Sequence, residues 1–358
     1  MSLFSRYIGF LYLKYFLFLF IALECFFVFI DLIKDLYFLP TSANLFVLLL
    51  AYNFIYAAQF ILPLALILAQ IILILVLLKS SQFTAFLSLG YSKARIFAPI
   101  FFISFLFSII FIISNTTPFA YAKERVDSII KTGFVGDFKK DLFVKYNNQY
   151  IYFQKIYPLL QSAAEVLIYD FKDNELTSII ESKTAKFNGD EWILSDVNIT
   201  QLNTDSKKPL ETLKVESYST LNGFKPKILE NIYESQGNAS IIDAYQAINL
   251  LKQQEANTQK VRSILYSLIL FPLFAPFIMI ILFFFTPDSN RYVNLAALVF
   301  FMILGILVTW GIFFGLSRLS MSGFFQPEFS IVLPFFILFL ASLFVFYKRS
   351  LNDSIIKC

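Results

Sequence analysis

Six long apolar stretches frame one polar block, and this layout restricts what the chain can become. Five of them contain no charged residue: Leu36–Leu78, Ile96–Ala122, Ser263–Pro287, Tyr292–Ser317 and Phe329–Tyr347. The sixth, Tyr7–Ile30, carries only Lys14 and Glu24. Each can supply the roughly 20 apolar residues that a helix needs to cross a bilayer. Between the third and fourth stretches, Lys123–Arg262 holds 37 of the 54 charged residues. The pattern predicts a polytopic α-helical membrane protein with six transmembrane helices and one inserted polar domain. The expected division is residues 1–122 for helices one to three, 123–239 for the insert, 240–262 for a connecting helix, and 263–358 for helices four to six and a short tail.

Composition excludes several function classes. The insert holds 18 basic and 19 acidic residues, so it has no basic footprint for nucleic acid. The two cysteines, Cys25 and Cys358, supply no disulfide framework and no CxxC spacing. With no histidine, the familiar zinc and non-haem iron sites and any imidazole-based triad are disfavoured. No GxxxxGK[ST] run is present to cradle phosphates. The first apolar stretch is too long for a signal-peptide core and reads as a retained helix.

Loop charge sets orientation. With six spans, Arg6, Lys79, Lys93, Arg95, Arg291, Lys348, Arg349 and Lys357 fall on one side. The short loops on the other carry only Lys34 and Arg318. Both termini are therefore expected in the cytoplasm and the insert outside, which in a double-membrane bacterium is the periplasm. The second stretch exceeds one span: Leu45–Leu78 is 34 residues, about 51 Å of helix against ~30 Å of hydrocarbon. Pro63 is expected to kink it, and Pro272 and Pro276 to distort the fourth span. Within the insert, Leu142–Tyr146, Tyr150–Gln154, Glu165–Phe171, Leu176–Ser182, Glu191–Ile199 and Leu210–Tyr218 read as strands separated by Asn, Asp and Gly turn signals. Short strands so spaced suggest a sandwich or open barrel. A helix begins near Ser240, with Asp243 closing a capping box, and is expected to run through Arg262 into the fourth span.

The segment between spans two and three, KSSQFTAFLSLGYSKARI (Lys79–Ile96), resembles the coupling segment of the LptF/LptG permeases, the membrane subunits of the lipopolysaccharide export ABC transporter. In that family a Glu opens the segment, and Gly, any residue, then Ser closes it. Gly90, Tyr91 and Ser92 match the close, whereas Gln82 stands where the family usually has Glu. Arg6-Tyr7-Ile8-Gly9 resembles the family's entry into the first helix. FIDLIKDL (Phe29–Leu36) resembles the end of that helix, closer to LptG than to LptF. ILPLALILA (Ile61–Ala69) is similar to the second span, and TAKFNGDEWILSDVNI (Thr184–Ile199) to a Trp-bearing strand-turn-strand. The six-span layout with an insert after span three resembles the family over the full chain, and the order and spacing of these motifs add to it.

The resemblance implies a β-jellyroll-like periplasmic insert and an inner-membrane permease that extracts lipopolysaccharide. It implies as partners an LptB-type ATPase dimer, a second LptF/LptG-type permease, and LptC- and LptA-type periplasmic jellyroll proteins. ATP and Mg would be used by the partner ATPase, with no cofactor bound by this chain. The ATPase-coupling residues would be Gln82, Phe83, Ala85, Phe86, Leu87, Leu89, Gly90, Tyr91 and Ser92. The lipid-binding residues would be Glu24, Phe27, Ile30, Asp31 and Lys34 on the first span, and Leu304, Leu307, Gly311 and Arg318 on the fifth.

The residues themselves leave alternatives open. Phe83, Phe86, Leu87 and Gly90 fall at helical spacing, as they would in a knob for an ATPase or in an ordinary helix lying among headgroups. Gln82 keeps a hydrogen bond but loses the salt bridge that a Glu would offer. A charge inside a span, as at Glu24, is usually functional or paired, but near the outer edge it is also open to snorkelling or protonation. Asp31, Lys34 and Arg318 suit either lipid phosphate recognition or interface anchoring. Two rival classes remain, a membrane enzyme acting on lipids or envelope polymers and a non-transporting scaffold. The enzyme would need a convergent acid/base pair, for which only Glu24, Asp31 and Asp35 lie near the outer ends of the spans.

Overall fold

The computed structural model describes residues 3–132, 139–146, 149–157, 161–172, 175–202, 209–224, 240–253, 257–289, 291 and 294–355. The helices are α1 (Leu3–Lys34), α2 (Ala43–Lys79), α3 (Gln82–Ser88), α4 (Lys93–Ser114), α5 (Ala122–Thr132), α6 (Ile241–Gln253), α7 (Gln259–Phe284), α8 (Leu295–Met321) and α9 (Leu333–Ile355). The strands are β1 (Lys139–Tyr146), β2 (Gln149–Tyr157), β3 (Ser162–Lys172), β4 (Glu175–Phe187), β5 (Trp192–Leu202) and β6 (Pro209–Thr220). Six helices, α1, α2, α4, α7, α8 and α9, are long and apolar enough to cross a membrane. The chain divides into two compact units, one built from the membrane helices and one from residues 38–49 and 123–257.

In the helical unit, α2 lies most deeply inside. Its 37 residues form one continuous helix with Pro63 in its interior, so the long apolar stretch is not split. Apolar packing alone is a weak guide between helices in lipid, because the tails are as apolar as leucine. Hydrogen bonds therefore fix the alignment. The Tyr12 hydroxyl donates to the Leu66 carbonyl at 3.0 Å, joining α1 to α2, and Gln70 Nε2 donates to the Met279 carbonyl at 3.0 Å, joining α2 to α7. Pro276 has no N–H, so the Pro272 carbonyl one turn earlier lacks its helical partner. Ser108 Oγ of α4 donates to that carbonyl at 3.0 Å. At the other end of α7, Ser263 meets Ser320 and Ser267 meets Ser317, each at 2.7 Å, forming a serine ladder to α8. Gln259 Nε2 donates to the carbonyls of Gly323 and Phe325 beyond α8, and Arg262 pairs with Glu328 at 2.5 Å ahead of α9.

The insert's six strands pair with sequence neighbours only, in the order β1 to β6, all antiparallel. Each of the six expected strands overlaps one of them. A flat strand buries every second residue. Here the buried phase inverts once in each of four strands. Ile151 and Phe153 give way to Ile156, and Ala163 to Val166 and Ile168. Ile180 and Ser182 give way to Ala185 and Phe187, and Trp192 and Leu194 to Val197. The inversions lie in one transverse row, at Gln154, Glu165, Lys183 and Asp196. Pairing is intact on both sides of it: Phe153 with Val166 and Lys155 with Ala164, then Ser182 with Val197 and Thr184 with Ser195. Glu165 and Asp196 adopt φ of 51° and 54°, a left-handed backbone that inserts the extra turn. The sheet is thereby creased across its strands while one apolar face runs through both halves.

That face packs on Trp192, whose Nε1 donates to the Phe224 carbonyl at 2.6 Å and whose ring lies 5.5 Å from Phe153 and 5.7 Å from Phe187. The Tyr146 hydroxyl donates to the Asn222 carbonyl at 2.6 Å. At the start of α6, Ser240 Oγ accepts from the Asp243 amide at 3.1 Å, the N-cap half of the expected capping box, and donates to the Asp243 carboxylate at 2.8 Å. α6 is described from Ile241 to Gln253 and Arg262 lies inside α7; Asn257 and Thr258, described between them, are not helical.

This packing makes two measurable differences. Ser108→Ala strands the Pro272 carbonyl and should lower stability in detergent by about 1 kcal/mol, read from the thermal unfolding midpoint. Burial also raises the Tyr146 phenol above its ordinary value. Its contribution is complete below the unfolded pKa near ~10 and is lost as pH rises through the higher folded value. Tyr146→Phe should therefore alter the fall in midpoint between about pH 8 and about pH 11. The expected direction is a smaller loss for the phenol-free variant above pH 10 than for the natural chain, because burial of a phenol that ionises more readily once unfolded favours the unfolded state there.

Candidate functional site

The segment after α2 is built as a rigid knob. Its start is a two-residue link, Ser80-Ser81, with Ser81 at φ 58° and no side-chain cap. Its end is much firmer. Gly90 sits at φ +90°, and the space that a side-chain Cβ would occupy there is open to 4 Å. The Gly90 amide donates to the Leu87 carbonyl at 3.0 Å and the Tyr91 amide to the Phe86 carbonyl at 3.1 Å. That pair of bonds is a Schellman stop, with glycine supplying the left-handed residue. Phe4 of α1 closes it, stacking on Tyr91 at 4.0 Å and meeting Phe86 edge-on at 4.9 Å. Ser92 then caps α4, its Oγ accepting from the Arg95 amide at 3.3 Å, and Arg95 lies over the Tyr91 ring.

The predicted coupling residues divide into two groups. Phe83 is fully buried, and its ring meets Phe283 of α7 at 5.9 Å. Gln82 accepts from the Tyr7 hydroxyl at 3.2 Å, and Phe86, Leu87 and Tyr91 are half-buried against the core. These hold α3 to the bundle. Ala85 and Gly90 are exposed, and Leu89 is 75% exposed. The free surface is thus the face around Leu89, while the apolar stripe marked by Phe83 is an anchor.

Sequence reasoning missed a second set of anchors. Lys93 counted only as a loop charge, yet it is buried, donates to the Thr286 carbonyl at 2.9 Å and pairs with the Asp288 carboxylate. Thr84 Oγ1 donates to the Asp288 carbonyl at 2.9 Å. The only sequence signal was a basic and an acidic residue at the same end of two different spans.

The predicted lipid residues are also divided. The buried stripe of α1 runs through Ile8, Tyr12, Phe16, Glu24, Val28 and Asp31. Both Glu24 oxygens and Asp31 Oδ2 are buried without a hydrogen-bond partner among the described residues. The other Asp31 oxygen lies 3.5 Å from Lys34. Phe27 is half-buried against Tyr56 of α2 at 6.1 Å. Ile30 and Lys34 point off this stripe and are exposed. On α8, Leu304, Leu307, Gly311 and Arg318 are all exposed, and Arg318 lies over the Phe314 ring at 5.2 Å. The outward faces of α1 beyond Lys14 and of α8 are therefore apolar along most of their length, with single cations, Lys34 and Arg318, near the end opposite α3.

No curated protein matches the sequence at a significant level. The family described as lipopolysaccharide export system permease LptF/LptG matches residues 6–348, nearly the full length, and the match does not separate the two members. Six apolar helices, an inserted antiparallel sheet and that match together place this chain in the LptF/LptG family of lipopolysaccharide export permeases.

Proposed function

We propose that the chain is one of two permease subunits that lift lipopolysaccharide out of the inner membrane, driven by a separate LptB-type ATPase dimer. Both termini and α3 lie in the cytoplasm and the insert in the periplasm, the orientation that the loop charges favour. ATP and Mg bind the partner, and the lipid passes onward to LptC- and LptA-type jellyroll proteins. The observation that carries this reading is α3 itself. A soluble ATPase can move membrane helices only through a rigid projection, and α3 is closed by a Schellman stop, anchored by Phe83, Gln82 and Phe86, and exposes Leu89 at its tip.

The cargo explains the apolar faces. Exposing the acyl chains of such a lipid to water costs about 0.8 kcal/mol per methylene, tens of kcal/mol in all. The route must stay apolar, and the outward faces of α1 and α8 offer such a surface. Ile30, Leu304, Leu307 and Gly311 contact acyl chains, Phe27 supports that wall, and Lys34 and Arg318 meet headgroup phosphates near the outer edge. Glu24 and Asp31 lie on the buried stripe of the same helix, off the exposed face.

Leu89→Asp should leave the purified chain folded and reduce copurification of the ATPase. Gly90→Ala meets no steric obstacle, so its cost is the left-handed backbone alone, about 1 kcal/mol. It should loosen the end of α3 and weaken association less than Leu89→Asp does. Unchanged association in both variants would remove α3 as the docking element. A photo-crosslinking residue at Leu304 or Leu307 should capture lipopolysaccharide in exporting membranes, and the same residue at buried Ile8 should not; equal labelling at both would count against the outward faces as the path.

A further inference from the structure

The coupling segment is tied to the loop after α7 by a clasp that none of the predicted coupling residues forms. Lys93, the first residue of α4, holds the Thr286 carbonyl at 2.9 Å and the Asp288 carboxylate. Thr84 of α3 holds the Asp288 carbonyl at 2.9 Å. Phe283 lies between Phe83 of α3 and Phe97 of α4, at 5.9 and 4.8 Å. A buried ammonium persists only where it is paired and hydrogen-bonded, and here both partners come from one loop. The Lys93 side chain is 8% exposed and that of Asp288 68%, so the ion pair is partly screened and the buried carbonyl bond shares the task.

The bracing continues along α7. Ser108 of α4 fills the carbonyl opened by Pro276, so the proline distortion is tied to a neighbour rather than left as a free hinge. At its other end α7 is stitched to α8 by the serine ladder, and to the segment between α8 and α9 by Gln259 and by Arg262 with Glu328. The link from α2 into α3 is two residues, Ser80 and Ser81, whose amides donate to the Val76 and Leu78 carbonyls at 3.0 Å, with Ser81 left-handed. Beyond its covalent link to α2 and its contacts with α1, α3 has a side-chain route into the loop after α7 and, through Lys93, into α4.

We infer that α3, α4 and α7 act as one lever, in which Lys93 and Asp288 are positioning residues that carry motion of the docked ATPase to α8. The inference rests on the proposed docking of an ATPase on α3. α8 bears Leu304, Leu307 and Arg318, so the lever ends on the surface assigned to the lipid.

The test uses the chain assembled with its ATPase and second permease in proteoliposomes containing lipopolysaccharide. Lys93→Met removes the clasp and keeps an apolar stem. Asp288→Asn removes the charge and leaves the carbonyl that Thr84 holds, a milder change at an exposed position. Both should retain the ATPase at wild-type amounts, while lipid transferred per ATP hydrolysed falls about 5-fold, the lower range of usual coupling between sites. Lys93→Arg should recover part of the loss. Unchanged transfer per ATP in both variants overturns the lever. Loss of the ATPase together with transfer also overturns it, because Lys93 would then merely shape the docking surface. A wild-type chain that carries no ATPase overturns the proposed function instead.

Discussion

In a hydrocarbon medium, each backbone carbonyl released from its helix must find a donor inside the protein. One such carbonyl, in α7, is answered from a neighbouring helix. Pro276 opens the Pro272 carbonyl, and Ser108 answers from another helix. Tyr12 and Gln70 also reach carbonyls on neighbouring helices, Leu66 and Met279. Each bond costs little to make but sets the axial position and rotation of one helix on another, which apolar contact alone leaves loosely specified. Placement of Phe83, Lys93 and the α8 surface depends on these few polar contacts.

Much of the architecture was legible in the sequence because bilayer insertion leaves a strong signal. Uninterrupted apolar length marked the six spans, and the strands appeared between Asn, Asp and Gly turns. The stop at Gly90 and the N-cap at Ser240 were also readable, since both rest on local chain geometry. Partner choice across long separations was not readable. Nothing local shows that Lys93 seeks Asp288, 195 positions away by residue number, or that Ser263 and Ser267 meet Ser320 and Ser317. The direction of the α3 stripe was equally hidden, because helical spacing shows that Phe83, Phe86 and Leu87 share a face but not whether the face meets a partner or the protein's own core.

The crease in the sheet was missed for a related reason. A strand is read by alternation, and a single inversion of phase looks like noise when one strand is taken alone. Only the pairing shows that the inversions at Gln154, Glu165, Lys183 and Asp196 share one row. A lone inversion would turn half a strand inside out. Four in one row instead allow the sheet to bend while Trp192, Phe153, Val166 and Ile180 stay in one cluster. Polar residues suit the row because their side chains need no place in that core.

The two units thus solve one problem by different means. A protein that handles an amphiphile must keep an apolar surface continuous without letting its own polar backbone interrupt it. The helices satisfy their backbone internally and leave long outward faces, from Phe18 to Ile33 on α1 and from Phe300 to Leu319 on α8, free of charge except at Arg318. The sheet satisfies its backbone between strands and sets polar residues along its crease, outside the apolar cluster. On the outward faces of α1 beyond Lys14 and of α8, the cations are Lys34 and Arg318, near the ends of their helices. That distribution follows from the cost of wetting methylenes, which any helix face turned to lipid must meet.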